Sequence, residues 1–160
     1  YKQYPKDYFG MIWASPPCTS YSIAAISHHR KDGVATSDFA KKSDMMMARL
    51  QEMIEYFLKL NPDLIYYVEN PRGMLRKMPF MSYYPLRHTL TYCQYGDDRM
   101  KPTDIWTNNF KWKPKPMCKN GDPCHVAAPR GSKTGTQGLK GNYERSIVPA
   151  ILCAEVLISI

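Results

Sequence analysis

An α/β fold is the class this sequence predicts, on three observations. A short apolar run, Phe9 to Ala14, stops abruptly at Ser15-Pro16-Pro17. A stretch with helical apolar spacing follows, with Met47, Leu50, Ile54, Phe57 and Leu58 three, four, three and one residues apart. Directly after it comes a β-rich run, Leu64-Ile65-Tyr66-Tyr67-Val68, which ends at Glu69-Asn70-Pro71-Arg72-Gly73. Apolar residues recurring every three or four positions line one face of a helix, whereas short apolar runs stopped by Pro or Gly read as buried strands. Strand, helix and strand in that order build a parallel α/β unit, and ligands bind such units at the loops leaving the C-terminal strand ends.

The remaining elements follow in order. Residues 27–42 are polar and contain Gly33, which predicts a flexible loop. Ser43 with Asp44 offers a start for the helix and Asn61-Pro62 a stop. Its methionines read as core packing. His88 to Tyr92 and Asp104 to Thr107 read as further strands, with Gly96-Asp97-Asp98 as the turn between them. From Phe110 to Arg145 the texture changes: Gly and Pro are frequent, periodicity is weak, and eight Lys/Arg stand against two acidic residues. Ile147 to Ile160 resumes helical spacing at Ile147, Ile151 and Val156, with Pro149 tolerated in a first turn. There is no internal repeat and no low-complexity tract.

Composition narrows the function. Of 160 residues, 44% are hydrophobic and 22% charged, which is globular rather than disordered. Lys+Arg minus Asp+Glu is 22 − 14 = +8, and a domain this basic favours a polyanionic partner, nucleic acid above all. No apolar run approaches the roughly 18 residues that span a bilayer, and no leader pattern is present, so no membrane partner and an intracellular location are expected. Five cysteines, an odd number at low density, argue against a disulfide scaffold. Each thiol is then packing, ligand or nucleophile. Cys153, in the last apolar stretch, reads as core.

Two prolines fix the backbone just before Cys18 in Ser15-Pro16-Pro17-Cys18-Thr19-Ser20-Tyr21-Ser22. A rigid loop holds a thiol at one defined place, as a nucleophile requires. A small residue buried after a tight turn is the alternative. Glu69 ends the next strand, and in a parallel sheet it would sit beside the Cys18 loop. A solvated or capping carboxylate is the alternative there. Together the two groups fit covalent attack on a ring, with proton management at that ring.

The motifs Ser-Pro-Pro-Cys, Glu-Asn-Pro-Arg-Gly, Arg99-Met100-Lys101 and Lys-Pro-Thr-Asp-Ile-Trp-Thr-Asn resemble, in order and separation, the catalytic half of the DNA (cytosine-5) methyltransferases, most nearly their phage-encoded branch. The resemblance runs from Phe9 to Asn108 and resumes from Arg145 to Leu157. It implies a Rossmann-like S-adenosylmethionine-dependent methyltransferase fold. It implies Cys18 as the nucleophile on carbon 6 of cytosine, Glu69 as the contact to ring nitrogen 3 and the exocyclic amine, and Asn70 as the residue fixing the Cys18 loop. It makes Arg99 and Lys101 the paired basic residues near base and phosphate, Pro17 a wall of the base pocket and Ser22 the family's serine in the Cys loop. The substrate it implies is double-stranded DNA, with the base taken out of its stack.

Two departures accompany it. Pro71 stands where most members have Val. The family's glycine-rich cofactor half precedes the Pro-Cys loop, and the short stretch before Pro16 holds no such segment. The N-terminal cofactor half is therefore expected to lie upstream of Tyr1 or on a second chain. Ser146 is the one candidate for the cofactor, and the 160 residues alone are expected to bind it weakly. The expected organisation is a catalytic part (1–109), a short basic target-recognition-like region (110–143) and a returning C-terminal helix (144–160). In the basic region, Lys111, Lys113, Lys115, Lys119, Arg130, Lys133 and Lys140 lie among Phe110, Trp112 and glycines, a texture suited to DNA phosphates as well as to a solvated face. Cys118, Cys124 and His125 form a Cys-x5-Cys-His cluster that zinc could organise, with Cys93 as candidate fourth ligand. Packed or solvated thiols are the alternative. His28-His29 reads as surface. Two other functions stay open: amino-methylation of adenine or cytosine, whose Pro-Pro loop carries an aromatic residue where Cys18 stands, and a non-catalytic DNA-binding relative.

Overall fold

The computed structural model describes residues 1–127 and 141–160. The chain is mixed α/β. Its elements are β1 (Met11–Ala14), α1 (Ile26–His29), β2 (Arg30–Lys31), β3 (Val34–Ala35), α2 (Asp38–Leu60), β4 (Ile65–Pro71), β5 (Leu86–Thr91), β6 (Pro102–Thr107), α3 (Asn142–Ser146) and α4 (Ala150–Ile158). The chain divides into two compact units, Tyr1–Arg87 with Asp104–Phe110, and His88–Thr103 with Lys111–Ile160.

In the first unit β1 and β4 pair in parallel, with Met11 opposite Ile65 and Ala14 opposite Val68. β4 lies between β1 and β6 in the sheet. A strand with neighbours on both sides and side chains packed on both faces reads as a continuous apolar run, and Tyr66 through Asn70 are all buried. The crossover between β1 and β4 contains α2, which buries Ala40, Met47, Ile54 and Phe57. Met47 and Ile54 of that stripe join Tyr21, Tyr66, Val68, Leu75, Met78, Met81, Tyr84 and Trp106 in the core. Fully burying one side chain of the Ile54 or Leu75 kind contributes about 1.5–3 kcal/mol.

Two local expectations fail for identifiable reasons. α2 starts at Asp38 rather than near Ser43, because the Ser37 hydroxyl accepts the Ala40 N–H as its N-cap. Ser43 lies inside the helix, where its hydroxyl donates back to the Phe39 carbonyl. The polar stretch read as a flexible loop holds an antiparallel hairpin, with Arg30 opposite Ala35 and Lys31 opposite Val34. Its turn residues Asp32 and Gly33 have φ of 51° and 83°. Two positive φ angles define the tight hairpin turn whose strand-matched twist Asp-Gly favours.

In the second unit β5 leads into a short 3-10 turn, Tyr92–Tyr95, closed by Gly96 in the left-handed region at φ 85°. The C-terminal stretch is two helices rather than one, since Ile147 to Pro149 leave the helical conformation between α3 and α4. The buried face of α4 is Leu152 and Val156, while Ile147 and Ile151 are exposed, so the expected stripe is rotated. Cys153 is half-buried. No helix among the described residues is long and apolar enough to cross a membrane.

Candidate active site

The first unit brings Pro17, Cys18, Ser22, Glu69 and Asn70 to the C-terminal ends of two adjacent parallel strands. β1 ends at Ala14 and β4 continues to Pro71, so the segment 15–22 leaves the sheet beside the last residues of β4. Cys18 is exposed and precedes the 3-10 turn Thr19–Tyr21. The half-buried Ser22 closes that turn with its N–H on the Thr19 carbonyl. Glu69 is only 4% exposed and Asn70 only 1%. Carboxylates are rarely buried to that degree without a partner or a task.

Three contacts fix the Cys18 loop. The Asn70 side-chain amide donates to the Pro16 carbonyl at 2.9 Å, tying the two strand ends together. Asn70 Oδ1 is buried with no hydrogen-bond partner among the described residues, the kind of leftover acceptor that functional sites keep. The Met74 N–H donates to the Tyr21 carbonyl at 2.8 Å, and a Cβ on Gly73 would sit 2.6 Å from that same carbonyl oxygen. The third contact comes from the hairpin. Arg30, 5% exposed, donates to the Ser20 carbonyl at 3.0 Å, pairs with Asp44 at 2.6 Å and stacks 4.4 Å over the Tyr21 ring. Tyr21 donates to Asp44 at 2.7 Å. Burial, then the Asp44 carboxylate, push the Tyr21 phenol well above its ordinary range, so it stays a neutral donor.

Sequence reasoning missed Arg30 and Gly73. Asp32-Gly33 was a hairpin signal that could have drawn attention to Arg30. Gly73 gave no signal, because a close backbone approach between segments about fifty residues apart has no local pattern. Also unforeseen was the pair of Arg76 with Asp104, the latter fully buried, in which Arg76 Nε donates at 2.8 Å. Asn108 bridges to β4, accepting from the Tyr66 N–H at 2.9 Å and donating to the Leu64 carbonyl at 2.8 Å.

Arg99 and Lys101 belong to the second unit. Arg99 is 5% exposed and paired with Asp97. It also donates to the carbonyls of Glu144 at 3.0 Å and Ile147 at 3.4 Å. Burial raises the Asp97 carboxyl, but its bonds to Arg99 outweigh that and hold it below the usual range. Lys101 donates to the Arg145 carbonyl at 2.8 Å and lies 4.4 Å over the Tyr92 ring. Ser146 spends its hydroxyl on the Tyr143 carbonyl at 2.7 Å.

From Lys111 to Lys115 exposure alternates: Lys111, Lys113 and Lys115 face outward while Trp112 is 2% exposed. Trp112 Nε1 donates to Glu155 at 3.0 Å, and Tyr95 OH donates to the same oxygen at 3.1 Å. Arg130, Lys133 and Lys140 lie outside the described residues. Cys118, Cys124 and His125 come together with Cys93.

The first unit thus sets an exposed thiol and a buried carboxylate at neighbouring parallel strand ends. The sequence is 27% identical over 163 residues to a probable DNA (cytosine-5)-methyltransferase of Frog virus 3 (isolate Goorha), an alignment covering 90% of this chain and 72% of that protein. That similarity is distant. No family model matches the chain, and no solved structure matches it.

Proposed function

We propose that this chain is the catalytic part of a DNA methyltransferase acting on carbon 5 of cytosine in double-stranded DNA, with Cys18 as covalent nucleophile. The observation that carries the reading is the exposed Cys18 thiol and the buried Glu69 carboxylate at neighbouring parallel strand ends, which Asn70 ties together. The similarity to a probable DNA (cytosine-5)-methyltransferase of Frog virus 3 supports the base and the ring position. The phage-type motifs refine the reading toward small virus-encoded enzymes.

The chemistry of this chain's residues is as follows. The Cys18 thiolate adds to carbon 6 and forms a C–S bond, and the electrons of the 5,6 double bond move toward carbon 5. The Glu69 side chain contacts ring nitrogen 3 and the exocyclic amine and so stabilises the ring that the addition activates. Asn70 holds the Pro16 carbonyl, and through it the approach of Cys18. Pro17 forms one wall of the base pocket. Lys111, Lys113 and the neighbouring basic residues meet DNA phosphates.

S-adenosylmethionine is the methyl donor this reading implies. The described residues assigned to it do not fit it. Ser146 is engaged with Tyr143, and of the charges lining the cleft of the second unit, Asp97, Arg99 and Glu144, the first two are spent on each other. That misfit favours a second reading, a DNA-binding relative without methyl transfer. Cys18, standing where amino-methyltransferases carry an aromatic residue, disfavours amino-methylation.

Duplexes carrying 2-pyrimidinone or 5-fluorocytosine in place of cytosine test the proposal. The first accepts a carbon-6 adduct without a methyl donor, and the second is trapped only after transfer. The wild-type chain is expected to give a denaturation-resistant adduct with 2-pyrimidinone DNA. Cys18→Ser should lower its yield by about 10³-fold or more while DNA binding persists. An undiminished adduct in the serine variant would assign the nucleophile elsewhere. DNA binding with no adduct on either base would favour the non-catalytic reading.

A further inference from the structure

We propose that Cys93, Cys118, Cys124 and His125 of the second unit bind one structural zinc ion. The proposal is independent of the chemistry at Cys18. Each residue offers one ligand atom, and the four atoms lie within 4.8 Å of one another. The Sγ of Cys93 is 3.1 Å from that of Cys118 and 3.5 Å from that of Cys124. His125 Nδ1 is 3.7 Å from Cys118 Sγ and 3.6 Å from Cys124 Sγ.

These separations match the edges of a zinc tetrahedron. With Zn–S near about 2.3 Å and Zn–N near about 2.05 Å, tetrahedral angles put sulfurs about 3.8 Å apart and sulfur and nitrogen about 3.6 Å apart. Two of the three nitrogen–sulfur edges fit at 3.7 and 3.6 Å, two of the three sulfur–sulfur edges are short at 3.1 and 3.5 Å, and the remaining edges lie within 4.8 Å. Three thiolates and one imidazole form a closed set with no position left for water or substrate, which marks a structural rather than a catalytic ion.

The surroundings support that role. Between Lys111 and Ala127 the chain forms no helix or strand, so backbone ladders do not hold it. Cys93 stands in the 3-10 turn after β5, and the other three ligands stand in that irregular segment. An ion would therefore cross-link the segment to a residue 25 positions upstream of Cys118. Outer groups are already in place. Gln94 Nε2 donates to Cys124 Sγ at 3.6 Å, and the Cys118 N–H donates to Thr91 Oγ1 at 3.0 Å. Such donors orient ligands and disperse thiolate charge. A Cys93–Cys118 disulfide is the competing chemistry, and it would leave Cys124 and His125 idle.

The chain, expressed in zinc-replete medium and purified under reducing conditions, is expected to carry about one zinc per molecule by elemental analysis. Replacing the zinc with cobalt should give the intense thiolate charge-transfer and visible bands of a tetrahedral site with three sulfur ligands and one nitrogen. Cys124→Ser and His125→Ala should each lower occupancy by at least about tenfold, and Cys153→Ser should not change it. His125→Cys keeps a complete ligand set, so it should retain the ion and shift the cobalt spectrum toward that of an all-sulfur site, which separates ligand loss from misfolding. Zinc below about a tenth of an ion per chain with no cobalt uptake by the reduced protein would overturn the proposal. So would a Cys93–Cys118 disulfide trapped by alkylation at lysis, or full occupancy in His125→Ala.

Discussion

The loop that carries Cys18 and the segment that carries Cys118 are both irregular, yet they are held in opposite ways. The first leaves a parallel strand pair, and its anchors are mostly backbone carbonyls: Pro16 taken by Asn70, Ser20 by Arg30 and Tyr21 by the Met74 N–H. Remove one side chain there and the strands still define where the loop begins. The second has no ladder beneath it. Its anchors are mostly side chains, Trp112 with Glu155, Thr91 and the sulfur cluster, beside one backbone bond from the Val126 N–H to the Asp98 carbonyl. A loop that leaves a strand pair can thus inherit its position from a sheet, whereas an irregular basic segment needs its own fastenings.

The sharpest test of this contrast is Trp112→Ala. Removing a tryptophan that is 2% exposed should cost about 3–5 kcal/mol, with early hydrogen exchange across 111–118. If stability and exchange are unchanged, the segment is held by something other than its large side chains. A smaller effect is expected for Asn70→Ala, which loses one buried hydrogen bond and about 1–3 kcal/mol. Its signature should be kinetic, a fall in Cys18 adduct formation with β4 exchange unaltered. Collapse of β4 protection instead would place the loop's order in that single amide.

The smallest effect concerns acid. The folded-state carboxyl of Asp97 titrates below its ordinary 3.8, so its pairing stabilises the fold above that value. The contribution is lost as pH falls through the lower folded-state value. Acid unfolding followed below about pH 4 should therefore shift toward higher pH in Asp97→Asn. An unchanged acid midpoint would mean that Arg99 is held by the Glu144 and Ile147 carbonyls alone.

The two regions also differ in how much of them could be read from sequence. Helical spacing and two β-rich runs were enough for β1, α2 and β4, because packing on a parallel sheet imposes periodicity on the chain itself. Cys18, Glu69 and Asn70 stood out because each closes such a run. Arg30 did not, since its role is to reach Ser20 and Asp44 from a hairpin whose flanking residues are polar. The rotated face of α4 went unread because Pro149 delays the helix start, and an apolar stretch with Ile147, Ile151, Leu152 and Val156 satisfies more than one register. Between Lys111 and Ala127 no periodicity was available. There the informative signal was chemical, two thiols and an imidazole, and the fold brings Cys93 to those three.

Gly73 shows how far the reach of a missing atom extends. The backbone of Tyr21 passes so near it that a β-carbon would lie 2.6 Å from a carbonyl oxygen, with no flexible side-chain tip to yield. The clearance between the two loops is therefore one carbon atom wide. This spacer has no latitude: any side chain at position 73 would press on the Tyr21 carbonyl, in the turn that begins after Cys18, so a change at one residue would be felt in a loop whose own sequence was intact.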